Sequence, residues 1–88
     1  MIPSKIIQVI PCKTDLFAIY DTENGGGRYE RIEYLGLYKN GSLAGLTLDP
    51  PFGFVPCENV EGFRTLCKPS ELDSYMTRYC RFIKDANA

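Results

Sequence analysis

No histidine occurs anywhere in the 88 residues. That removes the commonest general base at neutral pH and the usual partner of a Cys or Ser nucleophile. It also removes the imidazole of mixed zinc sites, and the four cysteines do not make up for it. Cys12, Cys57, Cys67 and Cys80 include no pair at the short Cys-x-x-Cys type of spacing that chelates a metal. No metal and no cofactor is therefore expected. An excess of charge is missing too: 10 Lys and Arg stand against 11 Asp and Glu, with a pI near 5.3, so the global basic signature of many nucleic-acid binders is absent. Long apolar runs are also missing. Met1–Ile10 is apolar but too short for a signal segment with a cleavage site, and nothing approaches the ~20 apolar residues of a membrane span. The expectation is a cytoplasmic chain, with reduced thiols packed as small hydrophobes and a structural disulfide as the alternative.

The carboxylates do not assemble a catalytic set. Glu30 and Glu33 point to opposite faces of a strand, Glu58 and Glu61 flank a turn, and Asp49 before two prolines starts one. The chain reads as a non-enzyme.

What is present is a core. Hydrophobic residues make up 44% of the sequence and aromatics 12%, all Tyr and Phe, which suits one small domain spanning residues 1–88. Lys5–Ile10 and Leu16–Asp21 are apolar, β-branched runs separated by turn-prone residues. Their near-continuous apolarity predicts strands covered on both faces. Glu23-Asn24-Gly25-Gly26-Gly27 reads as a flexible hairpin loop, because three glycines cost too much backbone entropy inside a strand. It has neither the Walker pattern nor a following helix, so it is not a phosphate cradle.

Tyr29–Lys39 is the longest strand candidate. Asn40-Gly41 after it is a strong hairpin signal, and Ser42–Leu48 returns beside it. A two-residue turn there predicts Tyr38 opposite Leu43, Leu35 opposite Leu46, and Gly36 opposite Gly45. Asp49-Pro50-Pro51 breaks the ladder. Phe52–Cys57 is a short edge strand limited by Pro56, Glu58–Glu61 suggests a 3-10 turn, and Gly62–Cys67 a last short strand.

The clearest element is a helix over about residues 70–84. Ser70 is an N-cap, with Asp73 completing a capping box and Glu71 suiting the positive end of the dipole. Leu72, Tyr75, Met76, Tyr79, Cys80, Phe82 and Ile83 share one face, and Ser74, Thr77, Arg78, Arg81 and Lys84 the other.

Strands within residues 5–66 followed by one helix predict a mainly β domain of the α+β class. Short antiparallel strands, too few for a sandwich, point to a five-stranded SH3-like or Sm-like barrel. The alternative is an open, curled antiparallel sheet with the helix packed on one face. In a barrel, Phe52 and Phe54 first serve to plug the ends. Displayed instead, with Tyr20, Tyr29 and Tyr34 they line a groove for a protein partner. Arg64, Lys68, Arg78, Arg81 and Lys84 make a local basic stretch that reads first as a solvated helix face, and otherwise as phosphate contacts. The apolar helix face also offers a route to a homodimer. Another protein is the expected partner, nucleic acid the alternative, and a membrane is not expected.

Val9-Ile10-Pro11, Leu16-Phe17-Ala18-Ile19-Tyr20, Tyr34-Leu35-Gly36-Leu37-Tyr38, Gly45-Leu46-Thr47-Leu48-Asp49 and Phe54-Val55-Pro56-Cys57 ahead of Glu61-Gly62-Phe63 carry a resemblance. Over about two thirds of its length the chain resembles a group of small uncharacterised proteins of bacterial phages and mobile elements. It departs from them in its helix. The resemblance implies no activity, ligand or site residues. The missing catalytic set and the aromatic-rich small β domain point to a protein-interaction module, such as an accessory protein or inhibitor of a mobile element.

Overall fold

The computed structural model describes residues 6–84. Eight strands and one helix follow in the order β1 (Ile6–Pro11), β2 (Phe17–Asp21), β3 (Gly27–Arg31), β4 (Tyr34–Tyr38), β5 (Leu43–Leu48), β6 (Phe54–Pro56), β7 (Phe63–Cys67), α1 (Pro69–Arg78) and β8 (Phe82–Lys84). They form two open four-stranded sheets, β1-β4-β5-β6 and β7-β2-β3-β8. All pairings are antiparallel except β3 with β8, which is parallel. The mainly β, α+β class and the open antiparallel alternative hold. The closed five-stranded barrel does not.

The barrel fails at Ile32. The long strand expected over Tyr29–Lys39 is two strands in different sheets, and the chain crosses between them at Ile32–Glu33. The Ile32 N–H donates to the Leu16 carbonyl at 2.8 Å, and the Glu33 carbonyl accepts from Cys12 N–H at 2.9 Å. These two bonds tie the crossover to the β1–β2 connection, and the Ile32 side chain is buried between the layers.

The β4–β5 hairpin has the expected partners one residue out of the expected register. Tyr38 N–H donates to the Ser42 carbonyl, Gly41 has φ of +89°, and Asn40 Oδ1 accepts from Ser42 N–H and Oγ. This is a three-residue loop with its left-handed residue last, not a two-residue type I′ turn. Leu37 therefore faces Leu43, Gly36 faces Ala44, and Leu35 faces Gly45. A one-residue slip moves every side chain to the other face. The two glycines end up on opposite faces rather than sharing a hole.

Ala18, Tyr20, Ile32 and Cys57 form the buried centre, with Cys12, Leu16, Leu35, Val60, Phe63 and Leu66 packed against it. A 3-10 turn at Cys57–Asn59, where one was expected nearby, carries Cys57 in from the link between the sheets. β2 is covered on both faces as expected, since Ile19 on its far side is as buried as Ala18 and Tyr20. β1 is not: Ile7 and Val9 are exposed, because β1 is an edge of its sheet.

The helix is shorter than its periodicity and begins earlier. Pro69 occupies the first helical position, a role its missing N–H suits, which moves the cap back to Lys68. Glu71, rather than Asp73, turns back to accept the Lys68 N–H at 3.0 Å. The helix ends at Arg78, and Phe82–Lys84 pairs with β3 instead. Cys80 N–H donates to the Gly25 carbonyl and Gly27 N–H to the Arg81 carbonyl, bonds that a continued helix would forfeit. The helix buries no residue completely, and Met76 is 43% exposed. The apolar face proposed for a homodimer is thereby divided between a short helix and a strand.

The glycine run is also more fixed than expected. Only Glu23–Gly25 forms a 3-10 turn, whereas Gly26 and Gly27 are buried and Gly27 opens β3. The Tyr79 ring lies over Gly27 so closely that a Cβ would come within 2.8 Å of it. Close approach of a ring, not loop mobility, requires glycine there.

Candidate functional site

Strand alternation assigns Val9, Tyr34, Gly36, Leu46, Leu48 and Phe54 to the outer face of the first sheet. Gly36 lets the side chains of Ile6 and Leu46 close over the backbone; a Cβ there would meet both at 3.0–3.2 Å. Leu46 is buried by this arrangement, while its neighbours stay open to solvent. The Tyr34 and Phe54 rings touch at 5.2 Å between centroids, tilted by 58°, and remain 40% and 46% exposed. Leu48 and Val9 continue the exposed apolar row. A groove of about 210 Å³ runs past Tyr34, Leu46, Leu48 and Phe54, rimmed by Arg31 and Glu33.

Phe52, two residues before Phe54, is 78% exposed. Its loop follows a cis Pro50–Pro51 bond and is closed by Asp49 N–H to the Gly53 carbonyl and Phe52 N–H to the Asp49 carbonyl, both 2.8 Å. The ring is displayed by a hydrogen-bonded turn. Neither Phe52 nor Phe54 plugs an end of the core.

A second feature lies between the sheets. Tyr20, Arg28 and Glu30 on the second sheet face Thr47, Leu48, Asp49 and Pro50 across a cleft of about 390 Å³, with Val60 completing the wall. Tyr20 Oη donates to Glu30 Oε1 at 2.7 Å, and the Arg28 guanidinium lies 4.1 Å above the Tyr20 ring. Burial, then contact with Cys57 and Glu30, raises the Tyr20 phenol well above its ordinary pKa, so it remains a donor. Burial likewise pushes the Cys57 thiol up to about 11, which keeps it neutral and a poor nucleophile. Of the four free thiols only Cys57 and Cys67 are buried; Cys80 is exposed, contrary to the reading of all four as packed hydrophobes.

The third feature is a patch at the helix. Asp21 Oδ1 accepts from Tyr79 Oη at 2.6 Å and from Arg64 Nε at 3.0 Å, and the two donors, Tyr79 first, hold its carboxyl below the usual range. Arg78 lies 5.1 Å over the Tyr75 ring, and Arg64, Tyr75, Arg78 and Tyr79 line a hollow of about 100 Å³.

The five aromatics read from the sequence therefore divide. Phe54 and Tyr34 come together at the surface, and Phe52 is exposed on the turn just before Phe54. Tyr20 is buried and cannot contact a partner, and Tyr29 packs on the other sheet between Phe17 and Phe82. The five basic residues divide as well: Arg64 and Arg78 line one hollow, Lys68 caps the helix, Arg81 lines a separate hollow beside Thr22–Arg28, and Lys84 stands in β8. They make no single stripe. From the sequence, Glu30 reads only as one of two opposed strand carboxylates. Its partner Tyr20, on the same face of the adjacent strand, is the signal for its setting.

Among the described residues no cluster of His, Cys, Asp or Glu is suited to a metal ion, and no helix is long and apolar enough to cross a membrane. No family model, curated protein or solved structure matches the chain.

Proposed function

We propose that this chain is a small, non-catalytic protein-interaction module that binds its partner through the outer face of the first sheet. One observation carries the reading: Tyr34, Leu48 and Phe54 line one groove and stay exposed, with exposed Val9 on the same sheet face and Phe52 displayed on the closed turn two residues before Phe54. Contiguous exposed apolar surface in a small domain marks an interaction site, and aromatic rings are enriched at interface centres. A phage or mobile element is the setting that the sequence resemblance suggests, and an accessory or inhibitory role there is part of this proposal.

The test is affinity capture from a bacterial lysate, with and without nuclease, using the wild type, a Phe52→Ser/Phe54→Ser double variant and an Arg64→Ala/Arg78→Ala double variant. The reading expects a protein that survives nuclease and is lost with the phenylalanines. The second reading is single-stranded nucleic acid held at the helix patch, favoured by two arginines and two tyrosines lining one hollow. It expects the opposite pattern: capture abolished by nuclease and by loss of the arginines.

A further inference from the structure

We propose that the hollow at the C-terminal end of α1 binds a terminal phosphoryl group. Residues from separate parts of the chain line it: Arg64 in β7, Tyr75 and Arg78 in α1, and Tyr79 at the helix C-cap. Tyr75 and Arg78 are neighbours one turn apart on the helix, and the fold brings Arg64 to them. Arg64 meets Asp21 through Nε alone, at 3.0 Å, and the same Asp21 oxygen is held by Tyr79 Oη at 2.6 Å. This fixes the Arg64 guanidinium and leaves the N–H groups of its terminal nitrogens off the carboxylate. Arg78 is held differently, 5.1 Å over the Tyr75 ring, a contact that occupies no N–H donor. It makes no salt bridge among the described residues.

Two guanidiniums thus line one hollow with donors to spare. No carboxylate lines it, and Asp21 reaches only Arg64. Like charges on one hollow repel, and an anion seated between them offsets that cost. The negative end of the helix dipole opposes an anion here, but that effect is screened and confined to the last turn. Charge-assisted bonds from two planar forks are the stronger contribution, and they suit phosphoryl oxygens. Size narrows the ligand. At about 100 Å³ the hollow is smaller than a whole-ligand site, roughly 300–1,000 Å³, so it takes one group at the end of a chain. A terminal phosphoryl group offers three acceptor oxygens, whereas the diester of a nucleic-acid backbone offers two. The site shares no residue with the outer face of the first sheet, so either assignment stands without the other.

The test is a titration of the full chain with methyl phosphate at fixed ionic strength, followed by backbone-amide and arginine side-chain NMR. Acetate and dimethyl phosphate serve as matched controls. The expected result is saturable shifts at Arg64, Tyr75 and Arg78, with methyl phosphate bound more tightly than either control. Arg78 is exposed on the helix, so Arg78→Gln should leave the fold intact and weaken binding roughly tenfold or more, as loss of a charge-assisted bond does. Arg78→Lys keeps the charge without the fork and should weaken binding less. The Phe52→Ser/Phe54→Ser variant should bind methyl phosphate as the wild type does, which keeps this test separate from that of the outer face. Parallel titrations separate the two sources of the group: tighter binding of N-acetyl-O-phosphotyrosinamide assigns a phosphorylated side chain, and tighter binding of inorganic phosphate a free ion. Absence of saturable shifts, equal binding of acetate, or unchanged affinity in Arg78→Gln overturns the proposal. Tighter binding of dimethyl phosphate overturns it too, and returns the hollow to the nucleic-acid reading.

Discussion

The outer face of the second sheet carries Phe17, Ile19 and Tyr29, and the chain returns after its helix to cover them. Tyr29 stacks on Phe82 at 4.9 Å, and Phe82 on Tyr79 at 5.3 Å. Ile19 beneath is completely buried. The outer face of the first sheet carries Val9, Tyr34, Leu48 and Phe54, and these remain exposed. Two sheets of equal strand number thus receive different treatment from one short chain. The difference teaches that bare apolar surface here is not a general weakness of a small domain. The same fold builds an aromatic cover where stability requires one.

The largest expected effect tests that contrast directly. Ile19→Ala should cost ~2–4 kcal/mol in denaturant unfolding, the range for emptying a packed aliphatic site. Val9→Ala on the bare face should cost less than ~0.5 kcal/mol. Equal costs would mean that the first sheet's outer face is also structural, and the contrast would dissolve.

A middle-sized effect belongs to Gly27. Gly27→Ala forces the Tyr79 ring off the strand and should cost about 1–3 kcal/mol, with a change in the near-ultraviolet tyrosine signal. In a Tyr79→Ala background the same substitution should cost much less. A full cost in both backgrounds would place the conflict in the backbone rather than in the cover.

The smallest effect is electrostatic. The Asp21 carboxyl lies below its unfolded value because Tyr79 and Arg64 donate to it. Its contribution is therefore present above the unfolded carboxylate pKa, about 3.9, and is lost as pH falls through the lower folded value. The pair with Arg64 is exposed and screened by solvent, so the effect is small. Asp21→Asn should lower stability slightly at neutral pH, leave it unchanged in strong acid, and so flatten the acid limb of the stability profile. An unchanged acid limb would detach Asp21 from the cover.

Much of this architecture is legible from residues alone. Alternation and β-branching place β1, β2, β5 and β7 within a residue or two, and Pro56 limits β6 as a proline should. What is not legible depends on partners far away in sequence. Nothing in Ile32-Glu33 resembles a breaker, so the split of one long strand into two sheets follows from backbone bonds to Leu16 and Cys12. Tyr79–Ile83 fits a helical stripe and a strand equally well, and Gly27 decides between them. At the candidate site, Phe52 announces itself by its position between prolines and glycine. Glu30 does not, since a strand carboxylate reads as solvated until the opposite sheet is in place.

The parallel union of β3 with β8 joins Gly27 to Phe82. Antiparallel β2 and β3 meet across a short turn, whereas β8 must close a loop of roughly 50 residues, at a greater entropic cost. The aromatic cover is thus the cheapest part of the second sheet to release and among the slowest to restore. Sub-global opening should begin by peeling β8, with amides of Phe82–Lys84 exchanging ahead of those of β2. In that moment the second sheet bares Ile19 and Tyr29, and the molecule shows two apolar faces to solvent instead of one.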